Sequence, residues 1–425
     1  MPALIPVAAG AGPGGRRATR PGLALALLAV STLLAMSVWF SATVVVAGLE
    51  AEWSLGSGGA ALLTIAVQVG FVVGALGSAA LGLADAVPAR TLMRLGALGA
   101  AGSNALLLLA NGLGAALPLR LLTGLFLAAY YPVALKEVAT WSRRGRGTAL
   151  GLMIAALTLG SALPHLVAAL ADTGAGPGWR GVIAATSVLG AAGGLLLLAV
   201  HGEGPCPFPR GPVSLGAGFR SLRHRDVLLA DLGYVGHMWE LYAMWAGVGT
   251  FLLTLPTVAG RPAPATLAAY LAFGCIGIGA AGCLVGGLVG DRWGRPRAAL
   301  LSLVCSGGAA LVLAATYDMV PLGVVVALCA WWGFWVIADS AQFSAMVTEH
   351  APAGSVGGAL SVQLALGFLT TTLTLWLVPV LVERASWHVA LVVLAAGPAV
   401  GAGAMLAAER RRRSRLLSPD SRAPA

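Results

Sequence analysis

Charge is scarce in this 425-residue chain. Only 10% of residues are Asp, Glu, Lys or Arg, against the roughly 25% of a soluble domain. Hydrophobic residues make up 58% and the mean hydropathy is +0.87. A chain this apolar cannot cover its surface with polar groups, so lipid is its expected solvent. Lysine is almost missing: Lys136 is the only one. That excludes a phosphate-binding loop ending in Gly-Lys-Ser/Thr. It also argues against nucleic acid as a partner, despite a net charge of +10, because basic DNA-binding faces use several lysines and gather their charge on one side. The five cysteines, Cys206, Cys275, Cys283, Cys305 and Cys329, form no CxxC pair and mostly lie inside apolar runs, which suits small core residues. No HExxH, GxSxG or dense Asp/His motif occurs, so neither an enzyme nor a resident cofactor or metal is expected.

What is abundant is long apolar sequence. About 20 apolar residues span ~30 Å of hydrocarbon at 1.5 Å per residue. Twelve runs meet that length: 23–48, 58–83, 91–110, 113–139, 148–171, 180–200, 226–255, 265–290, 298–316, 321–348, 356–383 and 388–408. The first is too long for the core of a signal peptide and reads as a span. The expected fold is all-α and integral to a membrane. It divides into a tail (1–22), an N-terminal six-helix bundle (23–200), a Pro-, Gly- and Arg-rich linker (201–225), a C-terminal six-helix bundle (226–408) and a basic tail (409–425).

Arginines orient it. With the N-terminus inside, most arginines, from Arg16 and Arg17 to the Arg410–Arg413 run, fall inside, and only Arg120, Arg180, Arg261 and Arg384 fall on or near the outside. That bias places both termini in the cytoplasm, and hence the chain in the inner membrane as a multi-pass protein, read as a monomer.

The halves echo each other. The turn after the second run carries Asp85 and Arg90; the turn after the eighth reads GLVGDRWGRPR, with Gly287, Asp291, Arg292, Gly294 and Arg295. Glycine permits close helix approach, and Asp291 is placed to accept hydrogen bonds at a helix N-terminus. Such a turn makes a clasp for one conformation. This second turn resembles the cytoplasmic signature of the major facilitator superfamily, and Arg120-Leu-Leu-Thr-Gly124 in span four resembles that family's Arg-x-x-x-Gly motif. The resemblance implies twelve transmembrane helices in two pseudo-symmetric six-helix bundles around a central cavity, working by alternating access. Within the family the chain looks like the bacterial branch labelled nitrate/nitrite or cyanate permeases. It lacks the arginines that nitrate carriers place in spans two and eight, where Gln68 and small or apolar residues stand.

Ionisable residues at depth are functional by default. Span seven carries His237 and Glu240, three apart and so on one helix face. A carboxyl at mid-membrane suits a proton carrier, with pairing to His237 or Arg120 as the plain structural alternative. Span ten carries Trp332, Trp335, Asp339 and Gln342 at helical spacing, a candidate cavity wall. Arg120 is a candidate anion ligand or modulator of proton affinity, and His165 a weaker candidate, as are Gln68 and Trp39. A secondary transporter of a small solute follows, fitted best by a small organic or inorganic anion moving with protons; proton-coupled export is the alternative.

Overall fold

The computed structural model describes residues 19–81, 83, 87–141, 146–171, 178–201, 204–205, 215–352 and 355–417. Among them the regular structure is entirely helical. Ten helices are long and apolar enough to cross a membrane. The remaining two crossings are the first, which is broken, and the seventh, a 30-residue helix that carries Asp226, Asp231, His237 and Glu240.

In chain order, the first span is α1 (Pro21–Met36), α2 (Ser41–Val44) and α3 (Val46–Trp53). Spans two to six are α4 (Ser57–Ala80), α5 (Ala89–Ala105), α6 (Leu113–Thr140), α7 (Arg146–Ala171) and α8 (Gly178–Leu196). A linker helix, α9 (Leu215–Ser221), leads to span seven, α10 (Arg225–Thr254). After α11 (Pro256–Ala259), span eight is α12 (Pro264–Gly277) plus α13 (Gly279–Trp293), and span nine is α14 (Arg295–Thr316). Span ten is α15 (Leu322–Trp335) plus α16 (Ser340–His350), span eleven α17 (Val356–Arg384) and span twelve α18 (Trp387–Leu417). The last helix thus continues past 408 through the arginine run. The face bearing Arg20, the linker helix and Arg415 is the terminal face, and the opposite one is the far face.

Within each half the helices pack on one another: spans two, three and four, and spans one, five and six in the first; spans seven, nine, eleven and twelve in the second. Across the halves, span two lies along span eleven and span five along span eight. Small residues make these approaches possible, because helices in lipid associate through close packing and not through a hydrophobic drive. Gly124 of span four faces the backbone of span two: a Cβ there would overlap the carbonyl oxygen of Val67. Gly70 makes the reciprocal approach to Leu121. Large apolar side chains that point outward, such as Val73, Leu109, Val188, Val304 and Leu369, form the outer surface expected of a chain solvated by lipid.

The first span breaks at 37–40 with neither Gly nor Pro in the break. Helix breaks at membrane depth persist only where the freed backbone groups find partners inside the protein. Here the carbonyls of Val38 and Trp39 are taken by Arg120.

The close approach of spans two and four gives a sign test. In a helix, Gly→Ala ordinarily stabilises by about 1 kcal/mol. Gly124→Ala is expected to lower the melting temperature of the purified protein, whereas Gly102→Ala, with open space around its Cβ position, raises it or leaves it unchanged. Equal shifts in both variants would contradict the packing described.

Candidate functional site

Arg120 is fully buried. It has no acidic partner among the described residues. Nε donates to the carbonyl of Leu63 (3.2 Å). Nη1 reaches the carbonyl of Val38 (3.3 Å), Ser41 Oγ (3.3 Å) and Asn104 Oδ1 (3.1 Å). Nη2 donates to the carbonyl of Trp39 (2.6 Å). Asn104 in turn donates to Ser187 Oγ (2.9 Å) and Thr186 Oγ1 (3.3 Å) of span six. The guanidinium is engaged by neutral acceptors from spans one, two and three, and Glu240 is not among them.

The break that Arg120 holds sets Trp39 and Phe40 across the seam between the halves. Trp39 lies against Phe71 (ring centroids 5.1 Å), Tyr242 (5.7 Å) and Phe368 (5.7 Å). Phe40 meets Tyr242 (5.7 Å) and Trp245 (6.0 Å), and Phe71 meets Phe368 (4.3 Å). Spans one and two of one half thereby touch spans seven and eleven of the other. Several buried polar atoms lack a hydrogen-bond partner: Trp39 Nε1 of span one, both amide atoms of Gln68 of span two, Ser161 Oγ of span five and Trp245 Nε1 of span seven. Buried polar groups are nearly always satisfied, which sets these atoms apart from the rest of the interior.

Two cavities flank the seam. The larger, about 370 Å³, lies toward the far face. It is lined from both halves, by Thr43–Gly48 of span one, His165 of span five, Trp179 of span six, Ala246–Leu253 of span seven and Ala265–Ala269 of span eight. His165 is held there by the backbone of Trp245. The smaller, about 70 Å³, lies toward the terminal face between Tyr131, Ile154, Tyr234, Tyr242, Ser340, Ser344 and Phe368. At the rim of the far face Arg180 forms a two-pronged ion pair with Glu52 (2.7 and 2.6 Å), joined by Trp179 Nε1 (2.8 Å).

The acids lie in the second half. Glu240 accepts a hydrogen bond from Trp332 Nε1 (2.7 Å), with Ser306 beside it. Its partner is therefore neither His237 nor Arg120. His237 Nδ1 instead lies 2.8 Å from Asp339 Oδ1, both groups fully enclosed, and its ring stacks on Tyr234 and lies tilted against Phe343. Span ten breaks at 336–339, so the helical register linking Trp332, Trp335, Asp339 and Gln342 fails. Trp332 points to Glu240 and Asp339 to His237. Trp335 lies half-buried among Trp331 and Phe334.

Gln342 meets the 287–297 turn and not the cavity wall expected for it. It accepts from Arg295 Nη1 (3.1 Å) and donates to the carbonyl of Gly286 (3.1 Å). Asp291 is met by Arg295 (3.1 Å), not by a helix N-terminus. Arg295 also nears Glu349 (3.5 Å), while Arg292 is exposed. Gly287 is buried in α13. Gly294 turns the chain with a φ of 95°, a left-handed conformation suited to glycine. In the first half Arg90 reaches the carbonyl of Val200 and Glu137 (3.7 Å); Asp85 lies outside the described residues. Sequence reading missed Asp231, a buried acid whose only signal was an aspartate one turn inside a span. It also missed Phe71 and Phe368, which carry no polar mark.

Comparison with known proteins bears on this geometry. No curated protein matches the chain. Among solved structures it is similar to the xylose transporter XylE from E. coli in a partially occluded, inward-open conformation, with a TM-score of 0.66 and 15% identity over 91% of this chain and 97% of that one. It is also similar to a D-xylose-proton symporter, with a TM-score of 0.71 and 14% identity over 92% and 97%. At these identities the likeness is one of fold. The family model described as Major Facilitator Superfamily matches residues 27–367, well over half the sequence, and the chain belongs to that superfamily of membrane transporters.

Proposed function

We propose that this transporter is proton-coupled and moves a small, uncharged or weakly polar solute along the seam between its halves by alternating access. The observation that carries the reading is the enclosed pair His237–Asp339 with Glu240 beside it. Asp339 sits where span ten is broken, and His237 ties that break to span seven. A proton arriving at this cluster changes the charge that holds the break. A change there alters how span ten packs against span seven, which is the type of local event that a two-state helix bundle amplifies. The fold shared with a D-xylose-proton symporter accords with this reading.

The solute reading follows from the seam. An anion would need a cation with free N–H groups, and Arg120 spends its own on carbonyls and amides. The aromatic rings of Trp39, Tyr242, Trp245 and Phe368, with the unpartnered indole N–H groups and the Gln68 amide, suit an uncharged solute better than the small inorganic anions of nitrate/nitrite or cyanate permeases. The far-face cavity is then the mouth of the pathway in the conformation described. The terminal face, rich in arginine, is the cytoplasmic one, and a single chain in the inner membrane forms the whole pathway.

Uptake into proteoliposomes tests this, with a panel of sugars, aromatic amides and carboxylates supplied with and without a pH gradient. Glu240→Gln is expected to abolish gradient-driven accumulation while sparing exchange; accumulation at the wild-type level would remove Glu240 from coupling. Arg120→Ala leaves the carbonyls of Trp39 in the break and of Leu63 in span two without a side-chain donor and costs on the order of 3 kcal/mol. It is expected to lower thermal stability and reduce uptake of every solute alike. A loss confined to anions would restore Arg120 as a ligand.

A further inference from the structure

Among the described residues Asp231 is a further buried acid, outside Glu240 and the His237–Asp339 pair and, unlike Glu137 and Glu409, in none of the ion pairs. Asp231 lies on span seven just over one turn inside Asp226, whose carboxylate is held at the terminal face by Arg411 (2.9 Å) and by Arg415. Asp231 itself is only 3% exposed. Oδ1 accepts a hydrogen bond from Gln363 Nε2 of span eleven (2.8 Å), and Oδ2 has no hydrogen-bond partner. Gln363 Oε1 accepts in turn from Ser344 Oγ of span ten (3.2 Å), and Ser344 lines the smaller cavity. Thus Asp231, Gln363 and Ser344 form a connected polar link across spans seven, eleven and ten, between the solute seam and the terminal face.

Direction along the helix separates this acid from Glu240. Nine residues at ~100° each place the two side chains on opposite sides of span seven. Asp231 shares its side with Met238 and Tyr242, which line the smaller cavity. Glu240 faces Trp332 and Ser306 of spans ten and nine, inside the second half. The acid that communicates with the cavity is therefore the one nearer the terminal face.

We infer that Asp231 is a second proton-exchange site, set in the terminal-face gate and distinct from the Glu240 cluster. This inference rests on the proton-coupled reading. The step is a single proton transfer. When the gate opens, the O–H bond of the Asp231 carboxyl breaks, the proton passes to water on the terminal side, and the carboxylate keeps the electron pair. When the gate seals, a hydronium ion from that side returns the proton to Oδ2, since burying an unpaired carboxylate costs several kcal/mol. The groups facing Asp231 are consistent with this. Its own helix offers Tyr234 one turn on, span eleven offers the neutral Gln363, and span ten reaches it only through Ser344. None of the ion pairs among the described residues includes Asp231, and Arg411 and Arg415 of span twelve are engaged by Asp226.

Infrared difference spectroscopy of the full-length protein in vesicles of known sidedness reads this step, through the C=O stretch of protonated carboxyl groups as the pH on one side is changed. The wild type is expected to show a carboxyl band that follows the terminal-side pH. Asp231→Asn loses that band and keeps the one lost in Glu240→Gln. Gln363→Leu removes the hydrogen bond but not the carboxyl, so it shifts the band without abolishing it. Should Asp231→Asn fail to fold, Asp231→Glu must displace the same band. The inference is overturned if Asp231→Asn keeps every wild-type band, if Asp231→Glu leaves the band in place, or if the band follows only the far-side pH. Those results leave coupling at Glu240 standing. A band lost in Asp231→Asn with no change in Glu240→Gln counts against the Glu240 reading and sustains this one.

Discussion

A buried guanidinium with no counter-ion among the described residues holds this protein's first span in its broken form. Arg120 sits among carbonyls and side-chain oxygens of spans one, two and three. A charge at such depth is tolerable only when nearly every N–H is matched. Two of the matching carbonyls exist as acceptors because the helix is interrupted at 37–40. The break and the arginine therefore require each other: without the break the acceptors are tied up in the helix, and without the arginine the break leaves bare carbonyls in a lipid-excluded interior. Trp39 and Phe40 lie inside that break, so the contact between the two halves at Tyr242, Trp245 and Phe368 inherits its geometry from Arg120.

The two halves use charge differently. The first keeps a cation at depth and spends it on architecture. The second keeps acids at depth, and it places them beside helix interruptions and between helices: Asp339 at the end of a break, Glu240 against an indole, Asp231 against an amide. Groups that gain or lose a proton at such places change the local packing, while a guanidinium that never titrates cannot. On the proposed proton-coupled reading, the arrangement separates a rigid reference from the part that switches. On the terminal face the division continues. The 287–297 turn is fixed to span ten through Arg295 and Gln342, and the last helix carries its arginines onto its own Glu409 and onto Asp226, while Arg297 of span nine donates to the same Glu409.

Much of this was legible in the sequence because lipid imposes simple rules. Length and apolarity gave the helical class and the crossings, and the turn at 287–297 with Arg120–Gly124 gave the family. His237, Glu240 and Asp339 stood out as ionisable groups in apolar runs, and they do lie enclosed in the second half. Their partners were not legible. Pairing by helical register assumes an unbroken helix, and span ten breaks at 336–339, which sends Trp332, Trp335, Asp339 and Gln342 to four different surroundings. The acceptors around Arg120 are backbone carbonyls exposed by another break, a feature that no residue type announces. Asp231 sits one turn inside a span, where a sequence boundary uncertain by a few residues cannot distinguish an interfacial acid from a buried one.

The central claim is that two bundles exchange access to a seam, open now toward the far face. Pulsed electron resonance distances between spin labels test it most directly. One pair spans the halves at the far face, at Glu50 and Arg261, and one at the terminal face, at Arg94 and Arg292; all four positions lie near helix ends in different halves. Lowering the pH on one side of the membrane is expected to shorten the far-face distance while lengthening the terminal-face distance. Distances that both stay fixed, or that change in the same direction, would contradict alternating access in this protein.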